Sequence, residues 1–263
     1  MTTIELSTIT LPDGSDVLGI GKKAMLGQGR LKSITVPEEA RFIDDWAFAG
    51  CTGLEEVTMP RCALGRGVFK DCRSLKHVFV KGIEDDISVL LAEVARQDIT
   101  YLLDMEKAGS AEWYELWDAW LLRFIEEDDA EGYSGQVPCG EEDYGSSDIA
   151  AYESGRRREK ARRCLLRLIN SEGLKEDTQK ICEAFIADHT IGSKAGEEAW
   201  QLILERFGEE EAWYTAFADA GGINEENCIA LIDSIPDSLS RMKAFFIRRA
   251  GGGTKDFLSE LDI

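Results

Sequence analysis

Four segments near the N-terminus spell one motif: Leu6-Ser-Thr-Ile9-Thr-Leu11-Pro12, Leu31-Lys-Ser-Ile34-Thr-Val36-Pro37, Leu54-Glu-Glu-Val57-Thr-Met59-Pro60 and Leu75-Lys-His-Val78-Phe-Val80. Their leucines stand 25, 23 and 21 residues apart. A second element recurs between them, as Ile20-x₃-Ala24, Ile43-x₃-Ala47-Phe48 and Leu64-x₃-Val68-Phe69. Each is followed seven residues after its Ala or Val by the next leucine, and Gln28, Cys51 and Cys72 share one repeat position. A period of this length means an array of small structural units rather than a conventional core.

The I-x-V alternation gives a short strand with one buried face. Three residues of strand are unstable alone, but stacked copies hide their apolar side chains against one another. The expected ladders are Leu6/Leu31/Leu54/Leu75, Ile9/Ile34/Val57/Val78 and Leu11/Val36/Met59/Val80. Proline after three of the four strands removes a backbone donor and ends the pairing there.

The pattern L-x-x-I-x-V-P…I-x-x-x-A-F-x-G-C-x-x-L resembles the BspA-like class of leucine-rich repeats over residues 1–82, and Ile43 to Pro60 is the nearest copy. The first copy has Met25 and Gln28 where Phe and Cys are expected, and the last lacks its proline, as terminal repeats do. The resemblance implies a short solenoid of about four strand turns that binds other proteins through its sheet, with no catalytic residues. In that geometry Ser33, Thr35, Glu56, Thr58, His77 and Phe79 alternate away from the core and form the contact face. Phe79 would be its aromatic anchor, or else a side chain that packs on the following domain.

After Gly82 the period becomes helical. Asp85 or Asp86 can cap a helix carrying Ile87, Leu90, Leu91 and Val94. Ser110 can cap one striped by Trp113, Leu116, Trp117, Trp120, Leu121 and Phe124, and Asp148 one running from Ile149 to Ile169. Further stripes are Ile181/Cys182/Phe185/Ile186, Trp200/Ile203/Leu204/Phe207, Trp213/Ala216/Phe217/Ala220, Leu231/Ile232 and Leu239/Met242/Phe245/Phe246. Gly173, Gly208, Gly221-Gly222 and Pro236 mark the stops. The expected fold is therefore α+β: repeats over 1–82, then an all-helical domain of seven or eight helices over 83–263. A solenoid's last turn exposes ladder atoms and strand edges, so the helix near Ile87 should pack over that end. Trp113-Tyr114-x-x-Trp117 and Trp213-Tyr214-x-x-Phe217 look alike and suggest a duplication within the helices.

Charge divides along the same line. The chain's net −20 is the sum of 11 basic and 10 acidic side chains in residues 1–82 and 19 and 40 in the remainder. A neutral repeat and a strongly acidic helical part argue against binding DNA or anionic lipid, both of which demand clustered cations. The run Arg156-Arg157-Arg158, Lys160, Arg162, Arg163, Arg167 follows nine carboxylates between Glu126 and Asp148, so mutual ion pairing is expected of it. No apolar run is long enough to span a membrane, and the N-terminus lacks the basic and apolar regions of a secretory signal.

Motifs for chemistry are weak. The glycine- and carboxylate-rich stretch 126–148 could hold Ca²⁺, with Asp128, Asp129 and Glu131 as candidate ligands, but its spacing is not that of a calcium loop. Gly19-Ile20-Gly21-Lys22-Lys23 lacks the full phosphate-loop pattern, and Gly132-Tyr-Ser134-Gly135 misses the nucleophile elbow by a residue. Neither His77 nor His189 has a diagnostic acidic partner. Seven cysteines without a C-x-x-C pair read as reduced thiols of a cytoplasmic protein. The expectation is a non-enzymatic protein-interaction module without cofactor, whose partner is an unknown protein. The alternative is a Ca²⁺-dependent or enzymatic protein using the 126–148 loop or an inter-domain groove.

Overall fold

A computed structural model describes residues 8–10, 18–83, 85–133 and 149–251. Seven strands lead: β1 (Thr8–Thr10), β2 (Gly19–Ile20), β3 (Ser33–Thr35), β4 (Phe42–Ile43), β5 (Glu56–Met59), β6 (Ala63–Leu64) and β7 (His77–Val80). They sort into two parallel sheets by the period of the repeat. The L-x-x-I-x-V segments give the order β1-β3-β5-β7, and the I-x-x-x-A segments give β2-β4-β6. The register aligns Ile9, Ile34, Val57 and Val78 in the first sheet and Ile20, Ile43 and Leu64 in the second.

Between the sheets lies a core built of equivalent positions. Leu31, Leu54 and Leu75 are buried, as are Ile34, Val57 and Val78, and Val36, Met59 and Val80. Leu6 and Leu11, the first members of two of those ladders, lie outside the described residues. Phe48 and Phe69, one copy apart, stack with centroids 5.7 Å apart and rings 7° from parallel. The shared cysteine position is an inter-copy tie: the Cys51 thiol donates to the Met25 carbonyl at 3.0 Å and the Cys72 thiol to the Phe48 carbonyl at 3.1 Å. Burial pushes the Cys72 thiol up to about 12 and that of Cys62 to about 11, so neither is a ready nucleophile.

Two left-handed corners recur in each turn. Lys23, Trp46 and Gly67 occupy one, with φ of 58°, 55° and 61°; Gly27, Gly50 and Asp71 occupy the other, with φ of 73°, 72° and 61°. Only glycine adopts this conformation without cost. At Trp46 the strain is offset by Lys22 and Lys23, whose ammonium groups lie 5.3 and 5.2 Å from the ring centroid. Gly67 has less latitude. A Cβ there would come within 2.4 Å of the Trp46 ring, and its N–H donates to Asp98 at 2.9 Å. Gly67→Ala should cost about 1–3 kcal/mol in urea unfolding, whereas Asp71→Gly at the other corner should hold or raise stability.

The stretch between strand and second element varies in length. Ile20, Ile43 and Leu64 follow Pro12, Pro37 and Pro60 by eight, six and four positions, whereas the distance from each corner at 23, 46 and 67 to the next leucine is constant. The copies therefore match on one side of each turn and contract on the other.

Helix α1 (Ser88–Arg96) packs against β7, and the Ser88 hydroxyl lies 3.1 Å from His77 Nδ1. Asp85 and Asp86 do not cap it. A 3₁₀ turn, Asp85–Ile87, fills their place, and the N-cap is Ile87 without a side-chain hydrogen bond. Helix α2 (Ala111–Glu126) starts as expected, with the Ser110 hydroxyl accepting the Trp113 N–H at 3.2 Å. Its indoles reach back, Trp113 Nε1 to the Leu102 carbonyl at 2.9 Å and Trp117 Nε1 to that of Leu90 at 3.4 Å. These ties extend the compact unit holding the repeats to Trp117, past the change of period at residue 82; a second unit runs from Asp118 to Ile263.

The second unit holds α3 (Ile149–Ile169), α4 (Glu176–Asp188), α5 (Glu198–Leu202), α6 (Glu211–Asp219), α7 (Cys228–Ser234) and α8 (Ser240–Gly251), which makes eight α-helices among the described residues. A π-helical turn, Ile203–Phe207, continues α5. Trp200 anchors the core against Phe217 at 5.3 Å and Phe246 at 5.6 Å. Some stripe positions differ from expectation. Ile149 and Ile181 are exposed, and on α6 it is Tyr214 that is buried, while Trp213 is half-buried and stacks on Phe207 at 3.7 Å. The look-alike aromatic segments thus make unlike contacts. Asp148, the expected cap of α3, lies outside the described residues.

Candidate interaction surface

Alternation along the strands decides what the first sheet presents. In β3, β5 and β7 the core takes Ile34, then Val57 and Met59, then Val78 and Val80, which leaves Ser33 and Thr35, Glu56 and Thr58, His77 and Phe79 on the other face. Parallel register lines these up in two rows, Thr8-Ser33-Glu56-His77 and Thr10-Thr35-Thr58-Phe79. All six expected residues therefore stand together, Glu56 exposed and the others half-buried. Phe79 is partly covered because its ring stacks on His77, with centroids 5.3 Å apart and planes 6° from parallel. The face is polar at one end and aromatic at the other. Ser33 donates to Thr8 at 3.1 Å across the first row, so neighbouring copies also engage through hydroxyls.

Just ahead of the strands runs a charged row that the repeat alignment did not single out. Glu55 accepts from Lys32 at 2.9 Å and from Lys76 at 3.3 Å, one lysine from each neighbouring copy. Lys32 first, then Lys76, holds the Glu55 carboxyl below the usual carboxylate range. Lys32, Glu55 and Lys76 follow Leu31, Leu54 and Leu75 directly, so the signal was present at a fixed repeat offset.

The acidic stretch and the arginine run meet in the second unit. Asp129 accepts from Lys160 at 2.7 Å and Arg157 at 3.2 Å, Glu127 from Arg156 at 2.8 Å, and Glu205 from both guanidinium nitrogens of Arg158 at 2.6 and 2.8 Å. Arg163 instead lies over the rings of Phe124 and Trp120 at 4.0 and 5.0 Å. Burial pushes the Asp129 carboxyl up, but Lys160 and Arg157 outweigh it and hold it below its ordinary value. Carboxylates just after α2 (Glu127 and Asp129), on α5 (Glu198, which accepts from Arg157 Nε at 2.7 Å) and in the turn that continues it (Glu205) answer the cations. Of the calcium candidates, Asp129 is thus committed to two cations, Asp128 accepts the Ala130 N–H at 2.8 Å, and the Glu131 carbonyl takes the Tyr152 hydroxyl at 2.6 Å. Among the described residues no group of three or more His, Cys, Asp or Glu could hold a metal ion. Residues 134–148 of that stretch lie outside the described residues.

The histidines have structural partners. His77 faces Ser88, and His189 closes α4 with Nδ1 2.8 Å from the Phe185 carbonyl and its ring stacked on Phe185 at 4.1 Å. Cys51, Cys62, Cys72, Cys164, Cys182 and Cys228 are free and buried. No helix among the described residues is long and apolar enough to cross a membrane.

Residues 1–88 match the BspA type leucine rich repeat region, in six copies. The repeats are of this type, and they are joined to a helical remainder of eight α-helices. No curated protein and no solved structure matches the chain.

Proposed function

We propose that the repeat region is a protein-binding module, a short solenoid of about four strand turns, and that its contact face is the double row Ser33, Thr35, Glu56, Thr58, His77 and Phe79. The observation that carries this reading is the shared register of β1, β3, β5 and β7, which sets equivalent outward side chains side by side on a fixed frame. Repeat arrays bind through such continuous surfaces. The stacked His77–Phe79 pair is its aromatic end and the natural hot spot. The near-neutral charge of residues 1–82 suits a protein partner better than a polyanion. Six free, buried thiols suit a reducing, cytoplasmic setting.

Affinity capture with the full chain, followed by titration of the captured partner, tests the face. His77→Ala with Phe79→Ala should weaken partner binding by more than about thirtyfold, as for a hot-spot pair. A thermal melt of the variant controls for the lost His77–Ser88 contact. Undiminished binding by a folded double variant would place the contact surface elsewhere.

A further inference from the structure

Two cysteines face each other across one helical hairpin. Helices α3 and α4 pack together, and residues 170–175 join them with Gly173 in the left-handed region at φ 62°. Cys164 stands nine positions before that glycine and Cys182 nine after it. Helices joined by so short a loop run antiparallel, so positions equidistant from the turn meet. Both side chains are 0% exposed, and the two thiols are hydrogen-bonded to each other. Elsewhere the thiols turn to backbone: Cys51 and Cys72 donate to the Met25 and Phe48 carbonyls, and Cys228 to that of Glu225 at 3.4 Å.

The helix that carries Cys182 is lightly held. Of the 13 residues of α4, the buried ones are Thr178, Cys182 and Ile186, a single stripe with Cys182 at its centre. Its N-cap, Lys175, makes no side-chain cap hydrogen bond. The far end is fixed, since the His189 carbonyl accepts the Ala199 N–H at 3.0 Å and Thr190 donates to the Gly222 carbonyl at 2.6 Å. Elements with few buried apolar contacts open first, so lifting the start of α4 exposes both thiols at once. In the closed hairpin, burial and then the adjacent Cys182 thiol push the Cys164 thiol well above its ordinary range, against Arg163 and Lys160. A protonated thiol is a poor nucleophile, and opening therefore gates the chemistry.

We propose that Cys164 and Cys182 are an oxidation-sensitive latch, which a low-molecular-weight disulfide such as oxidised glutathione converts to a disulfide that fixes α4 to α3. One cysteine thiolate attacks a sulfur of the small disulfide, forming a mixed disulfide and releasing one small thiolate. The second cysteine thiolate attacks the protein sulfur of that mixed disulfide and expels the other small thiolate. The pair gives up two protons and two electrons, and the small disulfide leaves as two thiols. An excess of the small thiol reverses the exchange. The latch lies in the helical unit and stands or falls independently of the double row on the first sheet.

The test incubates the full chain with oxidised glutathione in native buffer, quenches it in acid, alkylates it in guanidinium and maps the cysteines by mass spectrometry. A Cys164–Cys182 cross-link should accumulate while Cys51 and Cys72 stay alkylatable. The cross-link should raise the melting temperature by at least about 5 °C, a gain that dithiothreitol removes. Cys164→Ala and Cys182→Ala, each compared with its own untreated state, should lose both the cross-link and the gain. Sub-denaturing urea should speed cross-linking at least about threefold, because it favours the opened hairpin. Both thiols still alkylatable after prolonged oxidation would overturn the proposal, as would their bonding to any other cysteine. A cross-link without a rise in melting temperature would overturn the latch, and a rate indifferent to urea the gate.

Discussion

Asp118→Ala will destabilise the second unit by about 3–5 kcal/mol, the cost of leaving a buried cation without its counter-charge. The Arg167 side chain is 0% exposed and that of Asp118 5%, with Nε and Oδ1 2.6 Å apart. Arg167 also donates to the Asn170 carbonyl, so it is tied to the end of α3 and has no route to water when the carboxylate is removed. Urea unfolding should show the midpoint shift. Asp118→Leu with Arg167→Met should recover most of the loss, to within about 1 kcal/mol of the parent, because a packed apolar pair avoids the desolvation of both ions. If the single and double variants are equally unstable, the residues act through packing and the ion pair is incidental.

In the repeats the largest loss belongs to Phe48→Ala, expected at about 3–5 kcal/mol for a buried ring replaced by a cavity. Phe48 is 0% exposed, stacks on Phe69, donates its N–H to the Val68 carbonyl at 3.0 Å, and accepts the Cys72 thiol at its own carbonyl. Phe79→Ala, on the outer row, should cost under about 1 kcal/mol, as surface substitutions do. Chemical denaturation of both variants separates the two faces of the array directly. Comparable losses would mean that Phe79 is a core residue and that the proposed contact face is misassigned.

How far these features could be read in the sequence depended on whether a residue answers to a period. The ladders Leu31/Leu54/Leu75 and Ile34/Val57/Val78 follow from spacing alone, because burial at one repeat position requires burial at the next. The six outward residues followed from the same alternation together with the resemblance to leucine-rich repeats. The left-handed corners were not read: lysine, tryptophan and glycine at one position share no chemistry, only a φ angle. Helix α2 was legible because Ser110 caps it and its tryptophans recur at helical spacing. The start of α1 was not, because a 3₁₀ turn takes its end and leaves two aspartates without the role their position suggests. The cleft of about 850 Å³ lined by Ala63 and Leu64 together with Thr100 and Leu103 was not read either, because residues 100–106 belong to no repeat and only the folded chain brings them there.

The contraction from eight to six to four positions after successive prolines has one more consequence. The array tolerates a change of length at one place in each copy and holds everything else constant. Such a site works as a splice point: residues added between Pro37 and Ile43 would lengthen one loop without moving the strands on either side, since the next corner and the next leucine keep their own spacing. The frame can then be kept while its recognition is rewritten, one loop at a time.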